Sequence, residues 1–192
     1  MATKVMLIRH AEKPTGDGRI HGVDESGSHD SDELSVYGWQ RAGALIRFFA
    51  PLNGSFTHRA LATPDVIFAC APGDRATSVR SKHTVWPLAQ SLNKSVDLHY
   101  RKGEENELAR AVAAAQGVVL IAWEHNTIPD IAAALTGDDT ICPKKWHDSR
   151  FDLVWVLDRP ASGWKFTQVP QMVLPGDQGE LMQDQSVRTG TA

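Results

Sequence analysis

Short apolar segments alternate with longer amphipathic segments along most of this chain, and few folds accommodate that order. The short runs are typical of buried strands, whereas the longer segments carry an apolar residue every three to four positions, as helices do. We therefore predict an α/β sandwich of three layers, with a mainly parallel central sheet flanked by helices. The predicted strands are 5–8, 66–70, 96–100, 118–123, 153–157 and 165–169, and the predicted helices are about 35–50, 74–86, 103–115 and 128–135.

The length of 192 residues fits one domain with a sizeable core. The alternation ends near residue 175, so we predict a domain over 1–175. Residues 176–192 are polar and without a repeating pattern, and we expect a C-terminal tail that is either disordered or packed on the surface. Residues 14–33 are rich in Gly, Asp, Ser and His and are predicted to form a long loop.

The composition excludes several classes of protein. The formal net charge is −3, whereas nucleic-acid-binding domains are usually basic, so no nucleic-acid partner is expected. No apolar run is long enough to cross a bilayer, and the first residues lack the apolar core of a secretory signal. We therefore expect a cytoplasmic protein without a membrane partner. Cys70 and Cys142 stand far apart and form no disulfide framework.

Three predicted strands end in polar residues that are unusual as a set. The first ends at Arg9-His10, the second leads into Asp74-Arg75, and the strand 118–123 leads into Glu124-His125-Asn126. Ligands of such sheets bind beyond the carboxyl ends of the strands, so we expect these side chains to converge. Arginine offers donors that fit phosphate oxygens, a neutral imidazole can act as a nucleophile, and a helix start after His125 would add an anion site. The set therefore predicts phosphoryl chemistry.

The same residues resemble a known family. Arg9-His10-Ala11-Glu12 resembles the Arg-His-Gly signature of the histidine phosphatase superfamily, also called phosphoglycerate mutase-like. The segment 34–42, Leu-Ser-Val-Tyr-Gly-Trp-Gln-Arg-Ala, looks like the family's Leu-Thr-x-x-Gly-x-x-Gln-Ala helix start. Arg75-Ala76-Thr77 stands where the family has its second phosphate-binding arginine, and Glu124-His125-Asn126 stands where it has its second catalytic histidine. The resemblance extends over most of the chain.

The resemblance implies a role for each matching residue. His10 would be the nucleophile that carries the phosphoryl group, and Arg9, Arg75, His125 and Asn126 would bind the phosphate. The fold would be the phosphoglycerate mutase-like sandwich. The reaction would need no metal and no organic cofactor.

Several positions near the motifs have plainer interpretations. Ala11 replaces the usual Gly of the signature, which is a small change. Arg41 stands where Gln is common in the family, and we expect it on the surface of its helix. Arg75 could be an exposed helix residue, and so could Arg80, five positions later.

A carboxylic acid would have to protonate the leaving oxygen. Asn126 follows the second histidine where one branch of the family carries its acid, Asp. The resemblance therefore points to the other branch, branch 1, whose acid is a Glu between the second arginine and the second histidine. Glu104 is the preferred candidate because it lies nearer the end of the third predicted strand than Glu105. The alternatives that stay open are Glu105, Glu12, Asp74 and Glu124.

The predicted activity is hydrolysis of a phosphate monoester, on a small metabolite or a phosphoprotein, through a phosphohistidine at His10. One alternative is a phosphotransferase of the phosphoglycerate mutase type, although the chain is shorter than typical mutases. Another is a binding protein that kept the pocket and lost turnover. We expect the loop 14–33 and the segment 142–150 to border the site, because loops commonly carry specificity.

Overall fold

A computed structural model describes residues 1–73 and 77–183, and places one sheet between two pairs of helices. Helix α1 begins where the sequence predicts, because the Ser35 side chain accepts a hydrogen bond from the backbone N of Gly38 at 3.1 Å and so caps the helix. The strands are β1 (Ala2–Arg9), β2 (Val66–Ala69), β3 (Val96–Asp97), β4 (Gly117–Trp123), β5 (Leu153–Asp158) and β6 (Lys165–Pro170). The helices are α1 (Val36–Phe49), α2 (Arg80–Ser91), α3 (Glu105–Ala114) and α4 (Ile128–Thr136).

The sheet has the strand order β3-β2-β4-β1-β5-β6. The first four strands in that order run parallel, whereas β5 and β6 are antiparallel to their neighbours. The prediction of a mainly parallel sheet is therefore confirmed. In the central pair, Leu7 lies beside Ile121 and Arg9 beside Trp123, so β1 and β4 end at the same edge of the sheet. That edge carries the residues expected to form the site.

The central strands β2, β4, β1 and β5 are largely buried on both faces, which explains why each carries a continuous apolar run. Along β1, Met6 and Ile8 point to the core shared with α1 and α2, and Val5 and Leu7 point to the core shared with α3 and α4. The helices α1 and α2 therefore pack on one face of the sheet, and α3 and α4 pack on the other. The predicted three-layer sandwich is the observed architecture.

Two elements differ from the sequence prediction at their ends. Helix α2 begins at Arg80 rather than near residue 74, because residues 77–79 are not helical. There the Ser78 hydroxyl donates to the carbonyl of Asp32 at 3.2 Å, a contact with the long loop. The proposed cap Asp74 lies outside the described residues. Strand β3 ends at Asp97, whose carboxylate accepts from the backbone N of His99 at 2.9 Å in a local turn.

The chain after β6 packs back onto the fold. We call residues 171–183 the strap. The side chain of Asp177 and the residue Met182 are both buried, and Met182 joins the core on the α3–α4 face of the sheet. The backbone of Met182 exchanges two hydrogen bonds with the Gln168 side chain of β6, at 2.7 and 3.1 Å. No described helix is long and apolar enough to cross a membrane.

Candidate active site

His10 lies directly after β1, and its backbone N donates to the carbonyl of Trp123 at 3.0 Å, which extends the β1–β4 ladder. The side chain is buried, with 6% of the residue exposed. Nδ1 lies 2.8 Å from the carbonyl oxygen of Ala11. Because a carbonyl only accepts, Nδ1 carries the hydrogen in this contact and the lone pair of a neutral ring is on Nε2. The ring is therefore held in the tautomer that a nucleophile needs.

The surroundings of His10 keep its imidazole neutral. Burial lowers the pKa of His10 to about 3, and the charges of Arg9, Arg80 and His125 act in the same direction. The bond to the Ala11 carbonyl opposes them, since it would favour the protonated ring. At neutral pH the Nε2 lone pair is thus available. The electrostatic effect on the His10 pKa also indicates that Arg9, Arg80 and His125 all lie near its imidazole.

Arg9 is the largest charged side chain buried at this edge, with 1% of the residue exposed. Its Nη1 donates to the backbone carbonyls of Asp148 and Arg150, the second at 3.3 Å. The guanidinium stacks on Phe151, 3.7 Å from the ring centroid. Burial lowers the pKa of Arg9 to about 10, so it is still a cation at neutral pH. Its Nε is buried without a hydrogen-bond partner among the described residues.

His125 follows β4 by two positions, and its Nε2 lies 2.9 Å from the Asp148 carboxylate. Burial, and then the charge of Arg9, lower the pKa of His125, whereas Asp148 acts in the opposite direction. Asp148 therefore contacts both Arg9, through its carbonyl, and His125, through its carboxylate. The segment 142–150 borders the site as expected. Asn126, predicted to bind phosphate, is exposed.

Arg80 belongs to this group, although the sequence offered it only as an exposed helix residue. It opens α2, and it is partly buried. Its Nη1 donates to the carbonyl of Ser31 at 3.1 Å, and its Nε is buried without a partner among residues 1–73 and 77–183. Burial lowers the pKa of Arg80, while Asp32 and nearby carboxylates oppose this. Arg75, predicted for the same role, lies outside the described residues.

A sequence signal for Arg80 exists one helical turn further on. The hydroxyl of Thr84 donates to the carbonyl of Arg80 and accepts from the backbone N of Ala11, both at 2.7 Å. The first turn of α2 is thereby fixed to the residue after His10. The sequence signal is therefore an Arg and a Thr four positions apart, Arg80 and Thr84, at the start of the amphipathic helix that follows β2.

The two preferred carboxylic acids lie at the start of α3. Glu104 occupies the N-cap position of the helix without a side-chain cap hydrogen bond, and its Oε2 accepts from the backbone N of Arg101 at 3.0 Å. Glu105 is buried, and its Oε1 accepts from the backbone N of Gly103 at 3.1 Å and from Trp123 Nε1 at 3.2 Å. Glu105 is therefore held in the fold by an indole and a backbone amide, whereas Glu104 contacts only its own turn among the described hydrogen bonds.

Two of the other candidate acids, Glu124 and Glu12, are ion-paired. Glu124 lies 2.5 Å from Lys102 Nζ. This pair joins the loop before α3 to the residue that follows β4. Glu12 lies 2.7 Å from Arg41 Nη2. Asp74 is outside the described residues.

The prediction that Arg41 lies on the helix surface is wrong. Only 2% of Arg41 is exposed, because position 41 falls on the same face of α1 as the buried Gly38 and Leu45. The guanidinium lies between the carboxylates of Glu12 and Asp177, both at 2.7 Å. Burial alone would lower the pKa of Arg41, but these two bonds raise it above its usual value. A buried cation is tolerated here because it is fully paired.

Within 1–73 and 77–183, no group of three or more His, Cys, Asp and Glu side chains is arranged to hold a metal ion.

Comparison with known proteins identifies the fold. No protein-family model matches the sequence, and no curated protein matches it significantly. Solved structures do match over most of their length. One carries the name phosphohistidine phosphatase SixA, from Agrobacterium tumefaciens, with 20% identity, a TM-score of 0.50, and coverage of 86% of this chain and 96% of that one.

Two other structures give the same result. The mycobacterial glucosyl-3-phosphoglycerate phosphatase matches with 13% identity and a TM-score of 0.52, covering 88% of this chain and 97% of that one. A phosphoserine phosphatase mutant from Entamoeba histolytica, bound to phosphoserine, matches with 14% identity and a TM-score of 0.50, covering 87% and 95%. At these identities the likeness establishes the fold. It is the phosphoglycerate mutase-like α/β sandwich that the sequence predicted.

Proposed function

We propose that this chain hydrolyses phosphate monoesters, with His10 Nε2 as the nucleophile. The observation that carries the proposal is the state of His10. It is buried and neutral at neutral pH, its Nδ1 is bonded to a carbonyl, and the charges of Arg9 next to it and Arg80 on α2 act on it. A structural histidine would not need arginines beside it, since like charges only oppose its protonation.

The chemistry follows from this arrangement. Nε2 forms a bond to phosphorus while the bond from phosphorus to the ester oxygen breaks, and the leaving oxygen takes a proton from an acid. Water then attacks the phosphohistidine, which releases inorganic phosphate and restores His10. Arg9, Arg80 and His125 stabilise the charge on the transferring group. The buried Nε atoms of Arg9 and Arg80 lack partners among the described residues, and phosphate oxygens would satisfy such donors.

For the second arginine we propose Arg80, because its charge acts on both Arg9 and His10. Arg75 remains the candidate from the motif, so both need to be tested. For the acid we propose Glu104. Glu12 and Glu124 are ion-paired, and Glu105 is bonded to an indole, which supports Glu104 by elimination among the described candidates. Asn126 stays a proposed phosphate contact.

The substrate would be a phosphorylated small molecule or phosphoprotein. The fold neighbours are named for phosphohistidine, phosphoserine and a glucosylated phosphoglycerate, so the fold accommodates diverse leaving groups. Hydrolysis is proposed rather than phosphoryl retransfer because the chain is short and adds little material that could exclude water. The cytoplasm is the compartment expected from the sequence.

The test is turnover of p-nitrophenyl phosphate and a panel of phosphate esters in EDTA. We expect wild-type turnover, and a loss of about 10³-fold or more in His10→Ala, because the covalent route is removed. Arg80→Ala should lose about 10²- to 10³-fold, as removal of a transition-state donor does. Arg110→Ala, an exposed arginine on α3, is the matched control and should lose nothing.

Three results would contradict the proposal. The first is no wild-type turnover on any ester. The second is equal turnover by His10→Ala. The third concerns only the assignment of the second arginine: if Arg75→Ala is impaired and Arg80→Ala is not, the phosphate contact belongs to Arg75.

A further inference from the structure

The segment after His10 is held from one side by α1. The carbonyl of Glu12 accepts from the backbone N of Ser35 at 2.9 Å and from its hydroxyl at 3.1 Å. Gly38 packs so closely that a Cβ there would lie 2.4 Å from the same carbonyl oxygen. The backbone of Glu12 is therefore fixed, and its side chain is directed to Arg41.

Arg41 passes this contact on to the strap. Its Nε donates to both carboxylate oxygens of Glu12 at 3.0 Å, while Nη1 and Nη2 donate to Asp177 at 3.2 and 2.7 Å. Nη1 also donates to Gln171 Oε1 at 2.9 Å. Asp177 is itself fixed by the backbone N atoms of Val173 and Leu174, at 2.8 and 3.1 Å. One guanidinium thus joins the catalytic segment to two points of the strap.

The strap returns to the other neighbour of the nucleophile. The backbone N of Gln178 donates to Asp152 at 2.6 Å, and Asp152 pairs with Arg150 at 2.7 Å. Arg150 Nη1 donates to the carbonyl of Glu180 at 2.7 Å, and the Arg150 carbonyl accepts from Arg9 Nη1 at 3.3 Å. A continuous chain of polar contacts therefore runs from Glu12, two residues after His10, through the strap to Arg9, one residue before it.

We propose that the strap is a positioning element for the nucleophile, acting through Arg41 and Asp177. Arg41 does not touch the reacting atoms; it sets the position of Glu12 and hence of His10. This positioning role rests on the proposed phosphatase function and extends it to residues of the strap. Buried ion pairs are poor sources of net stability compared with apolar packing, so fixing one geometry is the better account of this one.

The same residues border a cavity beside the site. It has a volume of about 190 Å³, and its walls include Glu12, Tyr37, Phe151 and the strap residues Pro175 to Gln178. Phe151 stacks on Arg9 and lies 6.0 Å from His10, centroid to centroid. Displacement of the strap would therefore alter the wall next to the catalytic arginine as well as the position of Glu12.

The test compares Arg41→Gln and Asp177→Asn with a matched ion-pair variant. Asp158→Asn removes the Lys4–Asp158 pair, 2.5 Å long, at the opposite end of β1 from His10. We expect kcat to fall by about 10- to 100-fold in the first two variants, with KM changed less than about threefold, since a small misplacement of a nucleophile slows chemistry more than binding. Asp158→Asn should keep kcat within about twofold.

A double variant separates positioning from general damage. Arg41→Gln and Asp177→Asn break one link, so the double variant should be about as slow as the slower single variant rather than showing the product of both effects. All rates are measured well below the unfolding temperature of each variant. If Arg41→Gln fails to fold, the kcat of Asp177→Asn still tests the proposal. Asparagine has the shape of aspartate and keeps a carbonyl oxygen that can accept from the backbone N atoms of Val173 and Leu174.

The proposal is overturned if Arg41→Gln and Asp177→Asn keep wild-type kcat, if Asp158→Asn loses as much, or if the two effects multiply. The proposed function fails on a different result, the absence of wild-type turnover. A positioning failure with active wild-type enzyme therefore leaves the phosphatase proposal intact.

Discussion

The buried neutral His10 should make the protein sensitive to acid in a way that one substitution removes. Well above pH 6.5 the imidazole is neutral in both the folded and the unfolded chain. As the pH falls, the unfolded chain takes up a proton with a pKa near 6.5, while burial holds the folded pKa at about 3. The free energy of unfolding therefore falls between pH 6.5 and about 3, where the folded protein also becomes protonated and the loss stops.

The size of the effect follows from the shift. At 1.36 kcal/mol per pKa unit, the full difference corresponds to up to about 5 kcal/mol. Between pH 6.0 and 4.5, where an assay is practical, His10 alone should remove about 2 kcal/mol. Domains have a total stability of about 5–15 kcal/mol, so this loss is readily measured.

The perturbation is His10→Asn, whose amide can donate to the Ala11 carbonyl in place of Nδ1. Urea unfolding at a series of pH values, followed by the fluorescence of buried tryptophans such as Trp123 and Trp155, gives the free energy of unfolding. The carboxylates and His125 titrate in both proteins and cancel in the difference. The wild-type curve should fall more steeply by about 1.4 kcal/mol per pH unit below pH 6. Parallel curves would refute the reasoning, as would an NMR titration that places the folded His10 pKa near 6.

Two further substitutions test other parts of the site. Glu104→Gln should slow the hydrolysis of esters with poor leaving groups by about 10²-fold or more, and that of p-nitrophenyl phosphate far less, because only the poor leaving groups need a proton. Equal effects on both kinds of ester in steady-state kinetics would show that Glu104 is not the proton donor. Gly38→Ala should cost about 1–3 kcal/mol in urea unfolding, since its Cβ would lie 2.4 Å from the Glu12 carbonyl. Gly43→Ala lies on the same helix, and no atom of another described element lies within 4 Å of its Cβ, so a gain of up to about 1 kcal/mol is expected. A loss as large as that of Gly38→Ala would count against the close contact.

The elements that the sequence predicts well are those decided by local pattern. Strands β1 and β4 are buried on both faces, so they are plain apolar runs, and α1 starts at a serine cap. His10 and His125 are predicted beside each other because parallel strands end at one edge of the sheet, and their link through Arg9 and Asp148 agrees with this.

The features that the sequence misses depend on distant contacts. Arg41 is buried because its partner Asp177 lies 136 positions away, in a segment without a repeating pattern. Helix α2 begins at Arg80 rather than near residue 74, and Ser78 just before it bonds to the long loop at Asp32. Local periodicity contains no information on either contact.

Asp148 has a consequence for how any anion would enter this site. Its carbonyl and its carboxylate already occupy donors of Arg9 and His125, and 77% of its side chain is exposed. A phosphate that approaches His125 Nε2 therefore meets a carboxylate of the protein itself. Binding of phosphate at His125 would therefore displace the Asp148 carboxylate. The net affinity is the difference between the interaction of His125 with phosphate and its interaction with Asp148. An enzyme organised in this way would release inorganic phosphate readily, because a side chain of its own replaces it.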